Sequence, residues 1–491
     1  MVHASAETDF QIKHLKKSQL SELSSELRDD FISNLPDTVL CHILSFLPTK
    51  FAVGTSILSS KWKNLFPLIP NLNLEFDDSL ILHHPNGGEE EPSTSKDADT
   101  ADKSGEELKS SFTDFVGGVL KSLLQNNASI CKFKLECQKK YTDDCIGSWL
   151  RVAVMLGVQS VCLKASIRDS CKLVASLNGC TSLLALHLDS IFSLKVSAVN
   201  FPNLKKLILD YVQFSDGESV ELLFNGCPVL NTLKLQFCVL LVDDFAICMP
   251  SLTRLVICGS LIRSIFSTVV IDTPKLNHFS YVGLLTECYL LRNVDSIYAL
   301  AVHILPINTL LEDHDEELEV SSYEYVKLAE ALRDLSVPLP KFYNLKTLVL
   351  GAMGMTGWKT LACFLDNAPI LEALFLFGGF NMYDGGFASF LSVLNYVPYC
   401  LASSMKKIEI GAFSGQEDEI MLLEYFLQNG KVLEKLVFNC DFDWRKNNAV
   451  FNRLLDAESG SETCKISGPE KGRMVSLYCL EKFYGVSTSR E

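Results

Sequence analysis

The side chains best suited to chemistry in this 491-residue chain are its 17 cysteines and nine histidines. A zinc site or dithiol redox centre needs thiols about three positions apart, so that two sulfurs reach one ion or each other. No two cysteines here have that spacing, and the histidines do not gather with them. Set singly in apolar runs, the cysteines read as small buried hydrophobes. His278 has no carboxylate or cysteine partner evident in the sequence. Asp143-Asp144 and Asp243-Asp244 are adjacent pairs, which seldom converge on one reacting atom. The stretch GAMGMTG, from Gly351 to Gly357, lies between a strand and a helix, where a phosphate cradle could form. It matches neither dinucleotide nor P-loop spacing. With no GxSxG, HExxH or Cys/His constellation, the sequence predicts no catalysis, no metal and no cofactor.

A formal charge of −15, from 44 basic and 59 acidic side chains, opposes binding to nucleic acid or to anionic membrane surfaces. The chain's start has no apolar signal core, and no run approaches the ~18 apolar residues of a membrane span. An intracellular chain with reduced thiols, in the nucleus or cytoplasm, is expected.

Any functional surface must be positioned by the Leu-rich stretch that runs from about 112 to 440. The pattern L-x-x-L-x-L fits at Leu183/Leu186/Leu188, Leu204/Leu207/Leu209 and Leu230/Leu233/Leu235. It returns at Leu252/Leu255/Ile257, Leu276/Phe279/Tyr281, Leu345/Leu348/Leu350 and Leu371/Leu374/Leu376, with looser copies starting at Ile130, Val158, Met405 and Leu433. Starts from 130 to 276 step by 28, 25, 21, 26, 22 and 24 residues, the range of leucine-rich repeats. Five copies carry proline two residues before the first leucine: Pro202, Pro228, Pro250, Pro274 and Pro369, out of 16 prolines in the chain. Proline there is expected to stop the preceding helix and extend the chain into a strand. Each repeat is then a strand, a turn and a helix, burying its leucines against its neighbours. Ser215-Asp216 would cap one such helix, running through Val220, Leu222 and Leu223 to Asn225-Gly226. Alternation turns Leu207 and Leu209 inward and Lys206, Ile208 and Asp210 outward.

Residues 31–76 read as a compact unit of three short helices. Pro36 suits a first helical position, with Asp37 at the positive end. Leu40, Ile43, Leu44 and Leu47 follow at i, i+3, i+4 and i+7 as a one-sided stripe. Pro48 ends that helix and Thr49 caps the next, which carries Val53, Ile57 and Leu58; a third presents Trp62, Leu65 and Phe66. So small a unit is marginal alone, which suggests that apolar surface is kept for a partner.

This run resembles the F-box at the front of plant F-box/leucine-rich-repeat proteins. The family's L-P-D-x-x-L-x-x-I-L-x-x-L-P core is Leu35, Pro36, Asp37, Leu40, Ile43, Leu44, Leu47 and Pro48, and its S-x-x-W ending is Ser59 to Trp62. Phe51, Gly54 and Phe66 depart from the commoner charged residue, alanine and tryptophan. Residues 397–438 are similar to the FBD region that closes many plant members. They read as a strand over 405–410, a helix over about 418–428 and a strand over 433–438. Ile420, Leu423, Phe426 and Leu427 form the helix's buried stripe, and Gly430 ends it.

The resemblance covers residues 31 to about 440 and implies an α/β protein: a three-helix F-box, then a leucine-rich-repeat horseshoe with parallel strands on its concave face. The expected order is a disordered segment (1–30), F-box (31–76), acidic linker (85–107), repeats (112–396), FBD-like region continuing the array (397–440) and a C-terminal segment (441–491). The linker carries eight acids against two lysines and no large apolar residue; a second acidic run over 312–319 reads as an exposed insertion. The implied function is substrate recognition in an SCF-type ubiquitin ligase. Leu35, Pro36, Asp37, Leu40, Ile43, Leu44, Leu47, Pro48 and Trp62 would dock a Skp-type adaptor, and through it a cullin and a RING subunit. An unidentified protein substrate would meet outward positions Lys206, Ile208, Asp210, Thr232, Lys234, Gln236, Arg254, His278, Phe375 and Phe377. The two phenylalanines would either anchor a partner or be covered by the C-terminal region. Two alternatives stay open: a repeat scaffold or inhibitor without a ligase, and a receptor whose repeats hold a small molecule.

Overall fold

A computed structural model describes residue 32 and residues 35–79, 98–167, 170–191, 193–214, 216–240, 244–259, 268–283, 288–292, 295–304, 341–351, 357–377, 386–439 and 448–467. The segment 1–30, Ser215, the acidic run over 312–319 and most of the GAMGMTG loop lie outside them. The acidic linker expected over 85–107 lies only partly outside. The backbone from Ala98 to Gln125 is one helix, so the last ten of those residues are helical. Phe112, Val116, Leu120 and Leu123 recur at helical spacing and are buried, and the helix extends backward from them through residues that tolerate it. The chain divides into two compact units, Met1–Leu135 with Met155–Val158, and Glu136–Val154 with Gln159–Glu491.

In the first unit, helix Asp37–Ser45 is preceded by Pro36, whose ψ of 146° makes it the N-cap and not the first helical residue. Pro48 stands in the same relation to helix Thr49–Gly54. Thr49 caps nothing. It is buried, and its hydroxyl accepts a 2.7 Å hydrogen bond from the Glu75 amide, which fastens this helix to strand Leu72–Asp77. Ser59 caps the third helix, Ser60–Lys63, accepting from the Trp62 amide; the S-x-x-W spacing is the spacing of that cap. Leu72–Asp77, assigned from sequence to the helical unit, is a strand that buries Leu72, Leu74 and Phe76. Phe76 packs against Phe133 of strand Ile130–Glu136 and Phe115 of the long helix, with ring centroids 5.8 and 5.9 Å away.

In the second unit, twelve described strands lie parallel in sequence order across one sheet, from Ser160–Lys164 to Lys465–Ser467. Their register is continuous: Leu186, Leu207, Leu233, Leu255, Phe279, Leu300, Leu348, Leu374, Ile408 and Leu436 stand side by side. All ten are buried. Removing each such side chain from water is worth about 1.5–3 kcal/mol, and the row is shared between neighbours, so no repeat could hold it alone. Ala299–Ile304 is a strand the sequence reading did not single out, although Ile297, Leu300 and Val302 fit the template; Asp295 stands where five of the copies have proline.

The prolines act differently from expectation. Leu204 donates its amide to the Phe201 carbonyl, and Leu230, Leu252, Leu276 and Leu371 donate likewise to Cys227, Met249, Thr273 and Ala368. Each proline therefore holds the second position of a β-turn, which its fixed φ suits, and the strand begins later. Connections also differ. Helices Asp143–Met155, Ser170–Leu177, Gly217–Asn225, Gly357–Asn367 and Glu417–Asn429 join some strands, but Asp244–Ile247, Thr268–Asp272 and Cys288–Arg292 form a second parallel sheet. TVVID has four β-branched residues in five, which favour strand over helix, while CYLLR offers only Tyr289 to that preference. In helix Gly217–Asn225, Asp216 caps by accepting from the Ser219 amide, and Leu222 is only half-buried beside Val220, Leu223 and Phe224. Gly226 follows it because a Cβ there would lie 2.5 Å from Val199.

Candidate functional site

Two surfaces carry the residues singled out in the sequence, one in each unit. In the first, helix Asp37–Ser45 has two adjacent apolar stripes where the sequence suggested one. Leu40, Cys41 and Leu44 are buried, whereas Val39 and Ile43, continued by Phe46 and Leu47, face solvent. Leu40, Leu44 and Trp62 are thus interior residues of the unit and offer an adaptor no surface. Leu35 is half-buried; Pro36, Asp37, Ile43, Leu47 and Pro48 are exposed. Phe51, Ile57 and Leu58 add to the outward set, with Ile57 87% and Phe46 74% exposed. So many large apolar side chains facing water on a small helical unit mark an interaction surface.

In the second unit, Leu207 and Leu209 are buried, Lys206 is exposed, and Ile208 and Asp210 are half-buried. Thr232, Lys234, Arg254 and His278 are half-buried on the same face, and Gln236 is buried. The His278 ring bonds Asn277 Oδ1 and the Tyr298 hydroxyl, each at 2.9 Å; burial and then the Arg254 charge hold its pKa low. Further along, the outward side chains lose contact with water. Cys258, Val282, Ala301, Val349 and Phe375 form a buried cluster, with Phe377 packed on it. Phe375 and Phe377 stack at 5.8 Å, and Lys407 Nζ sits 4.7 Å from the Phe375 ring centroid. Phe375 is therefore closed to a partner as an anchor.

The absence of a Cys/His constellation, read from sequence, fails on this sheet. Cys162 and His187 are register partners on adjacent strands, with Cys162 Sγ 3.3 Å from Nδ1. The ring's Nε2 lies 2.8 Å from Asp210 Oδ2 on the next strand. Burial opposes charge on this ring, but the bonds to Asp210 and Cys162 prevail and raise its pKa to about 9. The imidazole is thus protonated at neutral pH and donates to carboxylate and sulfur together. In sequence the three stand 25 and 23 residues apart, one repeat each, and only the register brings them together. Cys162 and Asp210 occupy opposite sides of one ring and converge on no common point. Among the described residues, no group of three His, Cys, Asp or Glu side chains is arranged to hold a metal. No described helix is long and apolar enough to cross a membrane.

Comparison with known proteins finds three family matches along the chain. The F-box domain model matches residues 32–71, that of "FBD-associated F-box protein At5g56370, LRR repeats" matches 146–321, and FBD matches 394–438. F-box protein At3g03040 of Arabidopsis thaliana is 31% identical over 469 residues, covering 87% of this chain and 94% of the relative. F-box/LRR-repeat protein At4g14096 of the same plant is 29% identical, covering 83% of this chain and 87% of the relative. F-box/FBD/LRR-repeat protein At1g78750, also from Arabidopsis thaliana, is 28% identical, covering 87% and 93%.

Proposed function

The chain belongs to the plant family of F-box proteins with leucine-rich repeats and an FBD region, and on that footing we propose that it is the substrate-recognition subunit of an SCF-type ubiquitin ligase. F-box domains bind Skp-type adaptors, and the adaptor would link this chain to a cullin and a RING subunit inside the cell. The observation that carries the reading is the outward stripe of Val39, Ile43, Phe46 and Leu47 with Phe51, Ile57 and Leu58 beside it. Burying such a stripe against a partner helix is a sufficient source of affinity. The chain then contributes binding, not chemistry, to ubiquitin transfer. Its protein substrate would meet the outward side chains around Lys206, Ile208, Asp210 and Lys234.

The test is calorimetric titration of the full-length chain with a purified Skp-type adaptor. Ile43→Asp should weaken binding at least tenfold, and Lys206→Ala should leave it unchanged. Failure of the unaltered chain to bind any Skp-type adaptor would favour a repeat scaffold without a ligase.

A further inference from the structure

We propose that Cys162, His187 and Asp210 form a nucleophilic thiol site that takes soft carbon electrophiles, specifically α,β-unsaturated carbonyl compounds, by conjugate addition. This goes beyond the ligase reading, since adduct formation on strand Ser160–Lys164 requires no adaptor.

The argument starts from contrast among the cysteines. Cys227, Cys238 and Cys400 are buried thiols that burial pushes up to about 12, and Cys258 to about 11, so they are inert at neutral pH. Cys171 donates its thiol to the Lys195 carbonyl at 3.2 Å. Cys162, by contrast, lies against an imidazole and is partly open to solvent. The ring's Nδ1, 3.3 Å from the sulfur, stands where it can donate to a thiolate, the form that attacks. Asp210 keeps the ring oriented and charged. Its other oxygen, Oδ1, is buried with no hydrogen-bond partner among the described residues, so its hydrogen bonding is spent on His187.

The surroundings agree with an uncharged electrophile. Ile208 is the register neighbour of His187 and supplies apolar surface. The other charged groups on these strands and the next are Lys164, paired with Asp189 at 3.7 Å, exposed Lys206, and Lys234, whose pKa burial lowers and the Asp210 charge supports.

The position of the proton selects the substrate class. In conjugate addition the Cys162 thiolate attacks the β-carbon and an S–C bond forms. The C=C π pair shifts to give an enolate, which takes the Nδ1 proton of His187 at its α-carbon. The ring regains a proton from solvent, replacing the one the thiol released, so the net reaction is thiol plus enone to thioether. No oxidant or reductant enters. Displacement of a halide has no such need for a proton beside the sulfur.

The experiment uses the full-length chain, N-ethylmaleimide as the unsaturated carbonyl and iodoacetamide as the alkyl halide. Rates at each cysteine are read by peptide mass spectrometry from pH 5 to 9. At pH 6, Cys162 should react with N-ethylmaleimide at least tenfold faster than Cys171, and than Cys162 itself in the urea-unfolded chain. The advantage should be smaller with iodoacetamide. His187→Asn should remove it, with circular dichroism reporting whether the fold is kept; should that variant unfold, the unaltered chain's pH profile decides alone. A Cys162 profile matching that of the unfolded chain, or a folded His187→Asn with undiminished rate, overturns the proposal.

Discussion

Lys61 donates from its ammonium to the backbone carbonyl of Leu35 at 2.9 Å, across 26 positions of sequence. The same ammonium lies 3.4 Å from Asp37. The third helix of the first unit thereby holds the entry to helix Asp37–Ser45, the helix that carries the outward stripe. Lys61→Met should raise amide hydrogen exchange at Val39 and Leu40 roughly tenfold, as loss of a charge-assisted bond worth about 1.5 kcal/mol requires. Asp37→Asn should change it little, because that carboxylate is largely exposed and water screens the pair. Equal exchange in Lys61→Met and the unaltered chain would mean that the bond holds nothing.

Truncations on the sheet should rank by face and not by size. Leu207→Ala and Leu209→Ala should each cost about 2–5 kcal/mol in urea denaturation. Ile208 and Val256 occupy the same register row, but Ile208 is half-buried and Val256 is buried. Val256→Ala should therefore cost about 2 kcal/mol and Ile208→Ala less, although the isoleucine loses more atoms. The opposite ranking would mean that the row is equally open throughout.

Glu419, in the FBD region, is almost wholly buried, and its Oε2 accepts from the amides of Ser414 and Gly415 at 2.9 Å, Gln416 at 3.3 Å and the Ser414 hydroxyl at 2.7 Å. With Gln416 it completes the capping box of helix Glu417–Asn429. Glu419→Ala strands several donors at once and should cost about 3 kcal/mol. A thermal midpoint unchanged in that variant would contradict the assignment of this turn to a single carboxylate oxygen.

His187 gives the stability a pH dependence with a definite sign. Its folded pKa, about 9, lies above the ordinary value of 6.5. The stabilisation is fully present below about pH 6.5 and lost as pH rises through about 9, on the order of 2 kcal/mol once partial exposure is allowed for. Urea midpoints of the unaltered chain and His187→Asn should differ at pH 6 and converge near pH 10. A gap that widens with pH would reverse the assignment of charge.

Periodicity made the strands legible: every template copy, from the one starting at Ile130 to the one starting at Leu433, has its second and third positions on one. Spacing alone could not separate the two stripes of helix Asp37–Ser45, because Leu40 and Ile43 are equally apolar and only the packing of the folded unit decides that Leu40 is interior and Ile43 is not. Nor could it show that Val256 and Val349 are buried on the outward face, since alternation predicts where a side chain points and not what lies over it. Cys162, His187 and Asp210 were invisible for the converse reason. Their signal is a coincidence of register, readable only once residues 25 and 23 positions apart are known to be neighbours. The helix over Ala98–Gln125 was hidden by its acidic composition, which marks solvent exposure as readily as disorder.

The strict sequential order of the strands from Ser160–Lys164 onward bears on how the chain is made. Within this sheet each described strand pairs only with the sheet strand before it and the one after, so none waits for a distant repeat to be synthesised. Chains emerge at about 5–20 residues per second, which delivers one of these repeats every few seconds. Local pairing is complete in a small fraction of that time. The sheet can therefore be laid down strand by strand during translation, each new row of leucines finding the previous one already in place.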